Sequence, residues 1–328
     1  MPYNKNLQAS LAKINQEIIK ECTSKSALAK QVCQHLLSLN GKRLRAQLTL
    51  IATGVCQKPI CEGEQLAIIV EWLHAATLLH DDVIDNAEMR RHKLSANKVW
   101  GNSISILSGD YLYALAFKSI STIKNHQITA TLAESTAEII EGEIKQLENR
   151  FKLYQNIDEY AATITGKTAT LFATAAKLPA ILFNASPKTL SALNDFGHYF
   201  GLAYQMIDDI QDYSQSSSQI GKTQYQDLIA GTCTLPLIIA SNSSDQTTKQ
   251  AISLALKGCS KSQQKVIAIF NDNPQIIITS IRHAIKFQNQ AIDALNNLEE
   301  SVYKTMLIDL MAQATTKINK QLLKKAIN

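Results

Sequence analysis

A chain of 328 residues with 45% apolar side chains, only 12 glycines and 6 prolines has long intervals without a breaker. This argues against a turn-rich sheet protein and predicts an all-helical one with ample material for a core. The formal net charge of +5 arises without any block of five like charges, so nucleic-acid binding is not indicated, whereas small anionic substrates are compatible.

The periodicity predicts one or two amphipathic helices over residues 7–38, stopped at Asn40-Gly41, and another over 42–56 that opens with the basic run GKRLR. Residues 57–63, containing Pro59, read as a loop. The first long core helix is expected over 66–86, where Leu66, Ile69, Val70, Leu73, Thr77 and Ile84 keep the three-and-four spacing of a buried face. Helices follow at 104–123 and 129–147, then over 157–182 with Gly166 and Pro179 as interruptions. The second core helix spans 191–212, with Phe196, Phe200, Tyr204 and Ile207 in register. Polar loops are expected at 213–219, 241–248 and 271–275, and helices from 276 onward close the chain. No linker is long enough to divide it, so one domain over 1–328 is expected. The N-terminal residues lack the apolar segment of a secretory signal, and the greasiest stretch, 66–79, is broken by Glu71 and His74 and too short to span a bilayer. Six cysteines without a CxxC pair read as reduced thiols of a cytoplasmic protein.

Residues 78–93, LLHDDVIDNAEMRRHK, organise the rest. Asp81 and Asp85 lie four apart and share a helix face, with Asp82 beside them. Carboxylates so placed repel unless a cation sits between them. Mg2+ suits the position, because it prefers carboxylate oxygen and is usually shared with substrate phosphates. Arg90 and Arg91 follow, and arginine holds phosphate by paired hydrogen bonds. The spacing recurs in YQMIDDIQDY at 204–213, with Asp208, Asp209 and Asp212. Each motif ends an apolar helical run, and the pair reads as two walls of one cavity facing each other across metal ions.

Basic groups are distributed to match. Lys42, Arg43 and Arg45 open a helix, where backbone N–H groups also favour anions. Lys167 sits in TGKTA, which lacks the GxxxxGK spacing of a nucleotide loop. Lys222 follows the second motif. Taken singly, an acidic helix face is more often only solvated, a basic residue at a helix end more often complements the dipole, His74 is more often a core histidine, and Gln205 a core hydrogen-bonder. Their joint placement around two acidic clusters points instead to a metal-bridged diphosphate site in a helical bundle. There Mg2+ would screen the carboxylates, grip the diphosphate and make it a better leaving group.

The chain resembles the trans-isoprenyl diphosphate synthases nearly end to end, and within them the bacterial members that make octaprenyl diphosphate. The resemblance rests on GKRLR (41–45), HAATLLHDDVIDNAEMRR (74–91), GNSISILSGDYLYALAF (101–117), TGKTATLF (165–172), YQMIDDIQDY (204–213) and IGKTQYQDL with TLP (220–236). It implies an all-α, single-domain helical bundle of the isoprenoid synthase type with a central cavity, working as a homodimer. It implies head-to-tail addition of isopentenyl diphosphate to an allylic diphosphate such as farnesyl diphosphate, with three Mg2+ ions when substrate is bound. By the same resemblance Asp81, Asp82, Asp85, Asp208, Asp209 and Asp212 hold Mg2+. Arg90, Lys167 and Lys222 hold the allylic diphosphate. Lys42, Arg45, His74 and Arg91 hold isopentenyl diphosphate, and Thr168 and Gln205 line the reacting centre. Small residues at Ala76 and Thr77, where short-chain relatives carry bulky ones, imply a long product with its floor near Phe117 or Ile120, destined for a quinone side chain.

Four positions depart from the family pattern: Asn40 and His92 stand where glycine is usual, Ala46 where proline is common, and Thr232 where a lysine normally follows the glycine. Rival readings are a medium- or short-chain prenyl diphosphate synthase (geranylgeranyl or farnesyl), a class I terpene cyclase, which has little use for Lys42, Arg45 and Arg91, and a non-catalytic partner subunit, which commonly loses an acidic motif. A di-iron bundle needs two ExxH pairs, and only Glu71 with His74 supplies one. Lys317, Lys320, Lys324 and Lys325 read as complementing a C-terminal helix dipole or as a peripheral membrane contact.

Overall fold

A computed structural model describes residues 2–22, 25–39, 41–154, 156–214 and 224–315. The four C-terminal lysines above therefore lie outside the described residues, as do Asn40 and Lys222. Among the described residues the fold is all-α apart from one short hairpin, and the chain divides into two compact units.

The first unit comprises Met1–Thr136, Leu171–Asn194 and Leu295–Leu307. It contains α1 (Pro2–Lys20), α2 (Ala27–Leu37), α3 (Leu44–Val55), a 3-10 turn at Ile60–Gly63, α4 (Glu64–Ile84), the strands β1 (Met89–Arg90) and β2 (Lys93–Leu94), α5 (Ala96–Trp100) and α6 (Asn102–Ile123). Helix α4 is its axis. Leu66, Ile69 and Trp72 are fully buried together with Ile14 and Ile18 of α1 and Leu48 and Ile51 of α3, each contributing roughly 1.5–3 kcal/mol. The Trp72 indole N–H donates to the Ile18 carbonyl at 3.3 Å. Helices α4 and α6 run antiparallel: Gln65 Nε2 donates to Thr122 Oγ1 at 2.9 Å, while His80 Nε2 lies 3.1 Å from the Ile106 carbonyl at the other end. Gly109 makes that crossing feasible, since a Cβ there would sit 2.4 Å from the His80 ring.

How α4 ends determines what its acidic end can do. Asn86 takes the left-handed conformation (φ 49), its N–H bonds the Val83 carbonyl, and the Ala87 N–H bonds the Asp82 carbonyl. This is a Schellman closure with asparagine in the usual glycine position. The expected helices 104–123 and 129–147 are found as α6 and α7 (His126–Glu148). The hairpin was not expected, because two bridged pairs leave no alternating stretch to detect.

The second unit comprises Ala137–Thr170, Asp195–Ala294 and Ile308–Asn328. Its core gathers Tyr160, Leu202, Met206, Ile210, Leu235, Ile238 and Ile281. The segment expected as one helix over 157–182 is divided: α8 (Ile157–Ile164) passes into a π-helical turn, Thr165–Ala169, and then α9 (Thr170–Leu182). The cause is a close approach. A Cβ on Gly142 of α7 would lie 2.5 Å from the Lys167 amide nitrogen, and one on Gly166 would lie 2.8 Å from Gly142 Cα. Pro179, by contrast, interrupts nothing. It sits inside α9, and Ala175, the carbonyl deprived of a donor by proline, accepts from Thr49 Oγ1 at 3.0 Å. The 191–212 helix is observed as α10 (Pro187–Ser214). Further helices at Gln226–Ala230, Leu235–Asn242, Gln246–Leu256, Ser260–Asp272, Gln275–Ala294 and Val302–Thr315 complete the described chain.

Gly142→Ala should lower stability by about 1–3 kcal/mol, the usual cost of overpacking, and displace Lys167. Urea unfolding of the variant checks the first expectation.

Candidate active site

The first acidic motif is not three equivalent carboxylates. Asp82 has no accessible surface. Arg90 Nε bonds both its oxygens, at 3.0 and 3.3 Å, and Nη2 makes a further short contact to Oδ1. Its backbone carbonyl accepts from Asn97 Nδ2 at 3.0 Å. This geometry favours Asp82 as the anchor of Arg90 over Asp82 as a metal ligand. Asp81 is half-buried and Asp85, which caps the helix, is exposed. Both stand at the negative end of the α4 dipole, where a cation is favoured.

Beside this acidic end the same unit assembles positive charge. His74 is half-buried on α4. Burial, together with the guanidinium groups of Arg45, Arg91, Arg90 and Arg43, holds its pKa well below 6.5. The basic run 42–45 divides its labour. Arg43, in a left-handed conformation at the start of α3, is committed to structure: Nη1 to Glu71 Oε2 at 3.0 Å, Nη2 to the Leu37 carbonyl at 2.6 Å and Nε to Asn15 Oδ1 at 3.0 Å. Arg45 lies over the Phe172 ring, 4.1 Å from its centroid. Lys42 is exposed. Arg91 donates to the Leu39 carbonyl at 3.1 Å, and its guanidinium is so close to Gly41 that a Cβ there would lie 2.2 Å away. The left-handed His92 (φ 65) completes the turn after it.

In the second unit the predicted residues form one hydrogen-bonded line. Thr168 Oγ1 donates to Gln205 Oε1 at 2.8 Å, Gln205 Nε2 donates to Asp209 Oδ1 at 2.8 Å, and the Tyr160 hydroxyl donates to Asp209 Oδ2 at 2.6 Å. Burial, with the Asp208 charge adding to it, pushes the Asp209 carboxyl up to about 7 against the pull of these donors and of Lys167. Asp208 is exposed. Lys167 is paired with Glu143 at 3.1 Å. Asp212 accepts the backbone N–H groups of Gln226 and Asp227, each at 3.0 Å, so it caps the helix Gln226–Ala230. Thr232 is half-buried and its N–H bonds the Asp227 carbonyl at 2.8 Å.

Sequence reasoning missed Tyr160 and Asp227. Tyr160 is fully buried and held protonated by burial and by Asp209, with Asp227 adding to the effect. The signal available for Asp227 was its place five residues before Thr232, in the run resembling the family motif. Among the described residues no three His, Cys, Asp or Glu side chains make a metal site by themselves. Hard carboxylate oxygens stand on Asp81 and Asp85 in the first unit and on Asp208 in the second, a donor type that suits a divalent ion whose shell is completed by phosphate oxygens and water.

Comparison with known proteins gives the class. A family model described as polyprenyl synthetase matches residues 26–272. The chain is 36% identical over 310 residues, 94% of each sequence, to the all-trans-nonaprenyl-diphosphate synthase (geranyl-diphosphate specific) of Rhodobacter capsulatus. It is 32% identical over 302 residues, 92% of each, to the octaprenyl diphosphate synthase of Haemophilus influenzae. A crystal structure of polyprenyl synthase from Caulobacter crescentus CB15, complexed with calcium and isoprenyl diphosphate, superposes with a TM-score of 0.88 at 29% identity, over 95% of this chain and 97% of that one. The chain belongs to the polyprenyl synthetase family and is a trans-prenyltransferase. The family works on isoprenoid diphosphates and depends on divalent metal. Among the described residues no helix is long and apolar enough to cross a membrane.

Asp209 predicts a pH signature. Its folded pKa of about 7 stands above the ordinary value of 3.8, so the folded state keeps a proton that the unfolded chain releases. The sign follows: its contribution to stability is greatest at low pH and declines as pH rises from about 4 to 7. In metal-free buffer, Asp209→Asn should remove that declining component from the curve of thermal midpoint against pH.

Proposed function

We propose that the protein elongates an allylic diphosphate, farnesyl diphosphate by preference, with isopentenyl diphosphate, using Mg2+, to an all-trans product of octaprenyl length that serves as a quinone side chain. It works as a homodimer in the cytoplasm. One observation carries this reading: four arginines crowd around a neutral His74 beside the carboxylate-bearing end of α4. Such a set, Arg45 and Arg91 beside the structurally committed Arg43 and Arg90, suits an anion held next to a cation, which a diphosphate substrate with its metal supplies.

Lys42, Arg45, His74 and Arg91 hold isopentenyl diphosphate without metal. Asp81, Asp85 and Asp208 would hold Mg2+ for the allylic diphosphate, with Asp209 and Asp212 supporting them and Arg90, Lys167 and Lys222 completing the charge balance. When bound, Mg2+, three ions in all, would supply Lewis-acid neutralisation of the allylic diphosphate oxygens and so make diphosphate a better leaving group. The allylic C1–O bond breaks and its electron pair leaves with diphosphate. The alkene pair of isopentenyl diphosphate forms the new C–C bond, and the proton lost from the adjacent carbon goes to the released diphosphate. Thr168 and Gln205 present fixed dipoles to the developing positive charge, and no protein nucleophile is needed.

Product length is read along α4 and α6. Ala76 has no accessible surface and Ile120 is buried. Thr77 is half-buried, its hydroxyl bonded to the His74 carbonyl at 2.8 Å, while Phe117 is partly exposed.

The test is a product assay: protein, Mg2+, labelled isopentenyl diphosphate and either farnesyl or geranyl diphosphate, with an EDTA arm and products sized by mass spectrometry. A metal-dependent polyprenyl series ending at the octaprenyl length is expected. No elongation from either primer by folded protein would overturn the proposal. Ala76→Phe should shorten the main product, with Thr77→Phe as a second variant because a phenyl group at a packed position can also destabilise; unchanged products in both would remove these positions from the chain-length role. Thr232→Lys should lower the apparent KM for the allylic substrate.

A further inference from the structure

The hairpin that presents Arg90 and Arg91 is too small to hold itself. It has two bridged pairs, Met89 with Leu94 and Arg90 with Lys93. The turn between them, Arg91-His92, is left-handed at both positions (φ 50 and 65) without a glycine. Such a turn matches the twist of the strands but is costly for side-chain-bearing residues, and an isolated two-stranded hairpin is marginal in water. Its position must therefore be fixed from outside. At its base, Ser95 Oγ donates to the Ala87 carbonyl at 2.5 Å and the Ser95 N–H to the Glu88 carbonyl at 3.0 Å. Beneath β1, Asp82 holds Arg90.

Further support comes from the end of α2. Leu39, just beyond that helix, accepts from Arg91. One turn earlier, His35 reaches β2, with Nε2 at 2.9 Å from the Leu94 carbonyl. A carbonyl only accepts, so Nε2 carries the hydrogen. The ring is set edge-on against Trp100 of α5, centroids 5.1 Å apart at 75°, which fixes the direction in which Nε2 points. One helix end thus references the hairpin at two places, through Leu39 to the turn and through His35 to β2.

We propose that His35 is a positioning residue for the diphosphate site: by holding Leu94 it keeps the Arg91 guanidinium in place for isopentenyl diphosphate. This rests on the diphosphate role given to Arg91 above. The contribution is to binding rather than to bond making, so it shows in KM.

Three variants and two readouts test it. His35→Phe keeps a ring against Trp100 and loses the donor, His35→Ala loses both, and His35→Gln restores an N–H at similar reach. In steady-state assays with Mg2+ and farnesyl diphosphate, His35→Phe and His35→Ala should raise the KM for isopentenyl diphosphate roughly three- to tenfold with kcat within about twofold, and His35→Gln should recover most of the loss. Hydrogen exchange of the amides of residues 88–95 should speed up in His35→Phe and not in His35→Gln. A His35→Phe enzyme with unchanged KM, or unchanged exchange in the hairpin, would overturn the inference. A wild-type enzyme that turns over no isopentenyl diphosphate would instead overturn the functional reading, and the exchange result would still decide whether His35 moors the hairpin.

Discussion

Three carboxylates at the C-terminal end of one helix are an electrostatic conflict. The last turn of α4 already carries the negative end of the helix dipole, and Asp81, Asp82 and Asp85 add to it. The conflict is resolved in two ways at once. Asp82 is buried and neutralised internally by a bidentate Arg90, a pair whose disruption leaves an uncompensated buried charge costing on the order of 3–5 kcal/mol. Asp81 and Asp85 keep access to solvent, which hydrates their charge. The Schellman closure at Asn86 stops the helix one residue past the last of these carboxylates, and the hairpin that follows returns arginine to the same place.

The positive side has the mirror-image difficulty. Arg43, Arg45, Arg90 and Arg91 all act on His74, yet they are not interchangeable. Arg43 is tied into Glu71 and the Leu37 carbonyl, and Arg90 into Asp82. These two build the frame. The charge they bring is used without their leaving it, because the field of a fixed guanidinium acts at a distance while its hydrogen bonds hold its position. The second unit follows a different design, a line of neutral or near-neutral donors and acceptors from Thr168 through Gln205 to Asp209 and Tyr160. Its polar groups satisfy one another, as buried networks must to be stable. An aspartate whose pKa lies near 7 responds strongly to any cation placed beside it.

Much of this was legible in the sequence. Apolar periodicity located α4, α6, α7 and α10 to within a few residues, because a long buried stripe repeats the same signal many times. The acidic motifs and the basic residues around α4 were visible as residue types at helical spacing. Their roles within each motif were not. That Asp82 turns inward to Arg90 depends on where the hairpin returns, and the hairpin, two pairs long, has no periodicity to read. The π turn at Thr165–Ala169 arises from the approach of Gly142 to Gly166, two glycines far apart in sequence. Pro179 was read as a breaker because its rescue by the Thr49 hydroxyl comes from another helix. Asp212 as a helix cap needs the position of Gln226 and Asp227, which only the fold supplies.

The concentration of positive charge on one niche beside α4 is most directly read through His74 itself. NMR titration of imidazole-labelled protein, with the resonance assigned through a His74→Gln variant, gives its pKa in free and ligand-bound enzyme. In the free protein His74 should titrate below 6.5, held there by burial and by the four guanidinium groups, and isopentenyl diphosphate should move the value upward by neutralising them. A His74 that titrates at its ordinary value and ignores the diphosphate would contradict the assignment of this niche as an anion site.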